Sequence, residues 1–230
     1  MKKISILIPV YNEINTLKDL LVEVNNADFC GLEKEIILID DVSTDGTREL
    51  LSGMENEYRI FYHDKNQGKG SALRTGIKES TGDIIVIQDA DLEYNPQDYS
   101  KLVEIILNNE ADVCYGSRIL DGKSVSNFMP SSLFANKVLT LLTNILYGKH
   151  LTDMETCYKA FKSDILKNIT IKSDRFDFEP EITAKVFKSG ARIKELPISY
   201  NGRKYAEGKK ITWKDGVCAI LAILKFRIFN

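Results

Sequence analysis

Three acidic side chains spaced two apart, Asp89, Asp91 and Glu93, follow directly on the apolar run Ile84-Ile85-Val86-Ile87. A buried strand that stops in carboxylates offers oxygen ligands only. Such ligands select a hard divalent cation, Mg2+ or Mn2+, over zinc or copper. Magnesium keeps several waters and is commonly held by one or two carboxylates together with substrate phosphates. The spacing therefore points to a diphosphate as the partner of the cation, which would stabilise charge on a departing phosphate oxygen.

Other polar clusters also stand where apolar runs stop. Residues 4–10, Ile-Ser-Ile-Leu-Ile-Pro-Val, read as a strand and end at Tyr11-Asn12-Glu13. Residues 35–39 read as a second strand and end at Asp40-Asp41. After a third short strand at 60–63, Asn66-Gln67-Gly68-Lys69-Gly70 opens a helix. A glycine turn at a helix N-terminus is a natural anion site.

These clusters need a scaffold, and the spacing of apolar residues supplies one. Leu17, Leu20, Leu21 and Val24 recur at helical spacing behind an N-cap at Asn15. Leu50, Leu51 and Met54 recur likewise, as do Ala72, Leu73 and Ile77, and Leu102, Val103, Ile106 and Leu107. Strands alternating with helices predict an α/β fold with a mostly parallel sheet covered on both faces. Ligands of such sheets bind beyond the carboxyl ends of the strands. The acidic clusters are thus expected to meet on one sheet edge. A helix over about 133–147 puts Phe134, Val138, Leu141, Leu142 and Ile145 on an apolar face, with Asn136, Lys137, Thr140 and Asn144 elsewhere. A polar turn at 152–156, a strand at 157–161, a helix from Pro180 and a strand at 193–200 follow.

Composition narrows the class. The 230 residues suit one domain, and 43% hydrophobic with 28% charged residues describes a soluble globular chain. A net charge of −2 leaves no global basic field for nucleic acid. The short apolar start before Pro9 is too brief for a secretory signal, which predicts a cytoplasmic protein. Cys30, Cys114, Cys157 and Cys218 lie far apart and read as reduced, mostly buried thiols. His63 and His150 are isolated and read as surface or loop residues.

In order along the chain, Ile8-Pro9-Val10-Tyr11-Asn12-Glu13, Ile39 to Thr47, Asn66 to Gly70 and Asp89-Ala90-Asp91 resemble the motifs of the family 2 inverting glycosyltransferases, which have the GT-A fold. Gly116-Ser117-Arg118, residues 152–161 and residues 202–210 narrow the resemblance. They are similar to the dolichyl-phosphate mannose synthase branch and its bacterial polyprenyl-phosphate relatives. The resemblance implies a single Rossmann-like GT-A domain. Its residues 1–118 would form the nucleotide-sugar half, 119–212 the acceptor half and 213–230 a C-terminal helix. It further implies that Pro9, Tyr11 and Glu13 hold the nucleoside and that Asp40, with Asp41 beside it, accepts from the base. Lys69 and Gly70 would lie near the nucleotide. Asp89, Ala90 and Asp91 would contact the donor, and Asp89, Asp91 and Glu93 would hold Mg2+ or Mn2+. A UDP-sugar stands ahead of GDP-mannose as donor.

Two departures stand out. Val42 replaces a glycine common in the family, and a β-branched residue would strain a turn that needs φ > 0. Pro130-Ser131-Ser132 stands where that branch carries an arginine, and Lys137, further along the helix, is the substitute cation.

A phosphate monoester acceptor is already anionic near neutral pH and needs positive charge rather than a base. Arg118, Arg203, Lys204, Lys209 and Lys210 are the candidates, and Arg203 comes first because its fork matches phosphate oxygens. A hydroxyl acceptor needs a general base, for which Asp153 is the candidate. Asp91, Asp153 and Arg118 are thus the expected catalytic set. The C-terminal apolar run is too short to span a bilayer, which takes about 20 residues. With Trp213, Lys214, Lys225 and Arg227 it fits an interfacial helix or a packed one. The expected activity is metal-dependent, inverting sugar transfer from a nucleotide diphosphate sugar to polyprenyl phosphate at the cytoplasmic membrane face. The alternatives are elongation of a surface glycan at a hydroxyl, and a nucleotide-binding homologue without transferase activity.

Overall fold

Strands β1 (Lys3–Val10) and β4 (Ile84–Ile87) lie side by side and parallel, and nearly every side chain on them is buried. Their β-branched residues suit a pleated surface covered on both sides. The structure, a computed structural model, describes residues 1–203 and 213–229. Lys204, Lys209 and Lys210, expected to serve the acceptor, lie outside the described residues.

Parallel pairing continues from β1 to β2 (Glu33–Asp40) and on to β3 (Arg59–Tyr62). On the other side of β4, β6 (Lys159–Lys162) runs antiparallel and separates it from β5 (Val113–Ser117), which pairs in parallel with β7 (Ile193–Pro197). The sheet order is β3-β2-β1-β4-β6-β5-β7. The two-residue period sends Ile4, Ile6 and Ile8 to one face and Leu7, Ile37 and Ile85 to the other. The first face is covered by α1 (Leu17–Asn26) and α4 (Tyr99–Leu107). The second is covered by α3 (Lys69–Glu79), α5 (Pro130–Tyr147), α7 (Phe178–Ser189) and α8 (Trp213–Ile228). Two short helices, α2 (Thr47–Ser52) and α6 (Ser163–Lys167), complete the chain. This is the expected α/β class. Strand order reverses between β1 and β4, which opens a crevice beyond their carboxyl ends.

Several local expectations change. Thr16, not Asn15, stands at the N-cap of α1, and its Oγ1 donates to Glu13 Oε2 at 2.7 Å and lies 3.1 Å from the Ala90 carbonyl. That hydroxyl ties the Tyr11–Glu13 cluster to the Asp89–Glu93 cluster. Val42 has φ = 67°, so the strained turn is real, at a cost of about 1–2 kcal/mol. His63 is buried, with Nδ1 2.8 Å from Asp41 and Nε2 3.0 Å from Thr75. Of the cysteines only Cys114 is fully buried, and Cys218 is exposed.

The largest surprise is α5. Its buried residues are Asn136, Leu139, Thr140 and Thr143, while Phe134, Val138, Leu141 and Ile145 are exposed. The polar stripe faces inward because it has partners there. Asn136 donates to Asp153 at 2.6 Å, Thr140 donates to Asn136 at 2.9 Å and accepts from the Met154 N–H at 3.0 Å, and Asn144 bonds both backbone groups of Leu151. The helix therefore clamps the segment around Asp153 with hydrogen bonds rather than with apolar contact.

Candidate active site

The acidic end of β4 is braced from behind. Gln88 is fully buried, and its Oε1 accepts from the hydroxyls of Tyr99 at 2.6 Å and Tyr158 at 2.7 Å. Tyr158 in turn stacks on Tyr94. This fixes the turn that presents Asp89, Asp91 and Glu93. From the far side of the sheet the chain after β7 comes back across it. The Asn201 N–H donates to the Glu93 carbonyl at 2.8 Å, and the Arg203 N–H donates to the Glu93 carboxylate at 2.6 Å.

A cavity of about 610 Å3 opens at this edge. Pro9, Tyr11, Glu13, Lys69, Asp89, Ala90, Asp91, Glu93, Arg118 and Arg203 all line it, as the clusters' shared topological position predicts. Its other wall comes from Ser131, Ser132, Ala135 and Leu139 of α5 and from Gly216 and Ala219 of α8.

The electrostatics are crowded. Arg203 contacts Asp91 at 2.6 Å and Glu13 at 3.1 Å, with Glu93 at 3.9 Å. Lys69 contacts Asp89 at 2.7 Å, Cys157 Sγ at 2.9 Å and Glu179 at 3.4 Å. Burial opposes charge on Lys69, yet Asp89 holds it protonated, and Lys69 in turn keeps the buried Asp89 ionised. Asp91 differs. Burial, then the charges of Asp89 and Glu93, push its carboxyl up to about 7 in spite of Arg203. Among the described residues Lys69 pairs with Asp89, and Arg203 pairs with Glu13, Asp91 and Glu93. Among the described residues no three ligating side chains converge on one point. The guanidinium of Arg203 stands between Glu13, Asp91 and Glu93. A cluster of carboxylate oxygens without nitrogen or sulfur ligands is the donor set that Mg2+ or Mn2+ takes.

Arg118 is a further cation at the cavity, and it is tightly bound. Its Nε and Nη2 donate to Asp153 at 2.7 Å each, and its own N–H donates at 3.0 Å. The guanidinium also lies over the rings of Phe128 at 5.0 Å and Tyr200 at 5.1 Å. Asp153, expected as the base for a hydroxyl acceptor, is fully buried and does not line the cavity. Burial would raise its pKa, but Arg118 and Asn136 hold it below the usual carboxylate range. Its two oxygens are taken up by Arg118 and Asn136.

Other expected residues also move to supporting places. Asp40 is fully buried away from the cavity, accepts from the Ser43 N–H at 3.2 Å and pairs with Arg48 at 3.5 Å. Asp41, unlike Asp40, lines the cavity, and it accepts the Gln67 and Gly68 N–H groups at 2.9 and 2.6 Å, so the anion at the start of α3 is the protein's own carboxylate. Gly70 is needed for packing: a Cβ there would lie 2.4 Å from the Ser173 carbonyl. Lys137 is exposed and turned away from the cavity, because Asn136 beside it faces inward.

Three lining residues escaped sequence reasoning. Glu155 has a buried Oε1 without a hydrogen-bond partner. Burial and the charge of Glu179 push it up to about 7. Glu179 accepts from buried Lys159 and faces Lys69. Arg175 lies on the rim against Gly68 and has no carboxylate partner among the described residues. Their only signal was the unusual density of charge at 152–181 in an otherwise apolar half.

Residues 5–170 match the sequence profile of Glycosyl transferase family 2. The chain is 30% identical over 211 residues to a dolichol-phosphate mannosyltransferase of Pyrococcus furiosus; the match covers 90% of this chain and 59% of that protein. It is 29% identical to an undecaprenyl-phosphate mannosyltransferase of Micrococcus luteus, over 88% of this chain and 85% of that one. In structure it is similar to glucosyl-3-phosphoglycerate synthase of Mycobacterium tuberculosis, solved with Mn2+, uridine diphosphate and glucosyl-3-phosphoglycerate. The TM-score is 0.76 at 18% identity, over all of this chain and 81% of that one, a likeness of fold.

Proposed function

The chain belongs to glycosyl transferase family 2, and from that membership we propose that it moves one sugar, with inversion, from a nucleoside diphosphate donor to a polyprenyl phosphate. One observation carries this reading: the acid cluster and the cations Arg118 and Arg203 face a single cavity. An acid cluster at one end suits a diphosphate and its counter-cation, and guanidinium groups suit a second phosphate. The two named relatives act on dolichol phosphate and undecaprenyl phosphate, which supports the same acceptor class here.

In the proposed arrangement the Tyr11 ring and Pro9 pack on the nucleoside, and Glu13 accepts from its hydroxyls. Asp89, Asp91 and Glu93 would hold Mg2+ or Mn2+, which supplies charge for the departing diphosphate. Arg203 can leave Asp91 and Glu93 only where another cation replaces its charge. It is then a guanidinium at the cavity able to take an acceptor phosphate. Arg118, oriented by Asp153, keeps Nη1 for the same phosphate. Arg175, rather than Lys137, supplies rim charge. A phosphate oxygen of the acceptor attacks the anomeric carbon as the bond to the diphosphate breaks. The electron pair leaves on the diphosphate, and no proton needs to be removed. Residues 1–118 supply the donor side and residues after 118 the acceptor side.

A second reading has its own observation. Glu155, with an unpartnered oxygen and a carboxyl near half-ionisation at pH 7, is the carboxylate at the cavity suited to deprotonate a hydroxyl acceptor. In that reading Glu155 replaces Asp153 as base and the product is a glycoside.

A donor panel with Mn2+, assayed for nucleoside diphosphate release with and without a short polyprenyl phosphate, tests the proposal. Release that rises strongly on adding the phosphate supports it, and release unaffected by it does not. The same panel ranks UDP-sugars against GDP-mannose.

A further inference from the structure

Two carboxylate oxygens at the cavity make no hydrogen bond, Oε1 of Glu155 and Oε1 of Glu179. Both atoms are buried, and the charge of Glu179 acts on Glu155. A buried acceptor left unpaired weakens a fold. Two of them in one cavity therefore serve something other than the fold.

Neither carboxylate is loosely held. Lys159 of β6 is fully buried, and its Nζ donates to Glu179 Oε2, to the Met154 carbonyl at 3.2 Å and to the Thr156 carbonyl. One ammonium thus fixes the side chain of Glu179 and the backbone on either side of Glu155. The Met154 N–H donates to Thr140 Oγ1 at 3.0 Å, and the Cys157 N–H donates to the Tyr94 hydroxyl at 3.1 Å. The short segment that carries Glu155 is braced at both ends, as a preorganised binding group requires.

We propose that Glu155 and Glu179 form the subsite that recognises hydroxyl groups of the transferred sugar, and that they select which sugar the donor brings. An ionised carboxylate only accepts hydrogen bonds, so its ligand must bring donors. Like charge excludes an anion such as the acceptor phosphate. Lys69 and Lys159 already balance Asp89 and Glu179, so a neutral donor fits better than an ammonium group or a second metal ion. Ring hydroxyls are neutral donors with fixed spacing.

Placement argues the same way. Lys69 Nζ lies 3.4 Å from Glu179 Oε1 and 2.7 Å from Asp89, so a single side chain separates this subsite from the acid cluster. Pro9, Tyr11 and Glu13 serve the nucleoside, and Arg118 and Arg203 serve the acceptor. The group joined to a diphosphate at Asp89 is the sugar, and Glu155 and Glu179 stand beside it. This placement rests on the nucleotide-sugar reading of the acid cluster; the unpaired oxygens and their brace do not.

The test is isothermal titration calorimetry of the full chain with Mn2+. The probes are UDP-glucose, GDP-mannose and their single-deoxy analogues, beside UDP and GDP alone. One of the two sugar nucleotides should bind the wild type more tightly than its bare nucleoside diphosphate. At least one of its deoxy analogues should bind about tenfold weaker or more, the loss expected when a buried acceptor goes unpaired. Glu155→Ala should remove that difference for at least one analogue. It should bind the bare nucleoside diphosphate as the wild type does, which also shows that the site is folded. Glu155→Gln keeps an acceptor oxygen and should restore the preference. A base that acts only on a hydroxyl acceptor would leave all these affinities unchanged in Glu155→Ala. Three results would overturn the proposal: no gain in affinity from the sugar, the same deoxy penalties in Glu155→Ala as in the wild type, or equal loss of sugar nucleotide and bare nucleoside diphosphate in that variant. If UDP and GDP themselves do not bind, the nucleotide-sugar reading falls and the subsite with it. If they bind and the sugar adds nothing, the subsite alone falls.

Discussion

Arg203 Nη2 lies 2.6 Å from Asp91 Oδ2, so a guanidinium that follows β7 occupies the acid cluster that follows β4. Residues 112 positions apart thereby neutralise each other. Replacing Arg203 by Met leaves Glu13, Asp91 and Glu93 without that cation. Mn2+ titrated without donor, followed by its electron paramagnetic resonance, should then bind about tenfold tighter than to the wild type, or about 1.4 kcal/mol. Transfer to polyprenyl phosphate should fall at the same time. Unchanged Mn2+ affinity would mean that the pair does not compete with the cation.

The Arg118–Asp153 pair is buried and joined by two side-chain hydrogen bonds, the situation in which removing one partner is costly. Asp153→Ala should lower unfolding free energy in urea by about 3–5 kcal/mol. Asp153→Asn should lose less, because its amide keeps one acceptor for Arg118. A mutation with full stability and lost activity would instead restore Asp153 as a base.

Glu155→Gln separates the two acceptor readings. Under phosphate attack it should change the rate by no more than a few-fold and leave the pH profile near 7 as it is in the wild type. Under hydroxyl attack it should cost about 10²-fold or more and remove an ascending limb near pH 7 from kcat/KM. The direction follows from burial and Glu179 raising the carboxyl, since the base is active only once deprotonated.

Glu35 tests the scaffold rather than the site. It accepts from Ser5 Oγ at 2.6 Å, from the Thr81 N–H and hydroxyl at 2.8 Å each and from Arg59 at 2.6 Å. Burial opposes its charge, but these donors bring its pKa from 4.5 down to about 2. Its contribution is therefore complete above about pH 4.5 and is lost as pH falls towards 2. Glu35→Gln should cost roughly 1–2 kcal/mol at pH 7, and the difference from wild type should shrink in urea melts near pH 3.

The donor edge was legible because it obeys local rules. β-Branched runs that stop in acid mark strand ends, and parallel sheets gather strand ends on one edge. Tyr11, Glu13, Asp89 and Asp91 followed from that alone. Val42 was legible too, since its φ of 67° is what a glycine position demands. What could not be read were partners distant in sequence. Nothing near Asp153 says that Arg118 will hold it, and nothing near Arg203 says that it will reach Asp91. On α5 the periodicity identified the apolar face correctly but not its direction. Polar residues with partners at 151–154 won the interior, and the apolar stripe went outside. His63 was misplaced for the same reason, because Asp41 and Thr75 satisfy both ring nitrogens in the interior.

The most direct measurement is the chemistry of the product. Wild-type protein, Mn2+, the donor selected by the panel with a radiolabelled sugar, and a short polyprenyl phosphate should yield label in an organic-soluble product. That product should release the sugar on mild acid treatment, as a glycosyl phosphate does, and Asp91→Ala should form none while keeping the wild-type fold. Label recovered only as free sugar, or in an acid-stable glycoside, would contradict transfer to a phosphate.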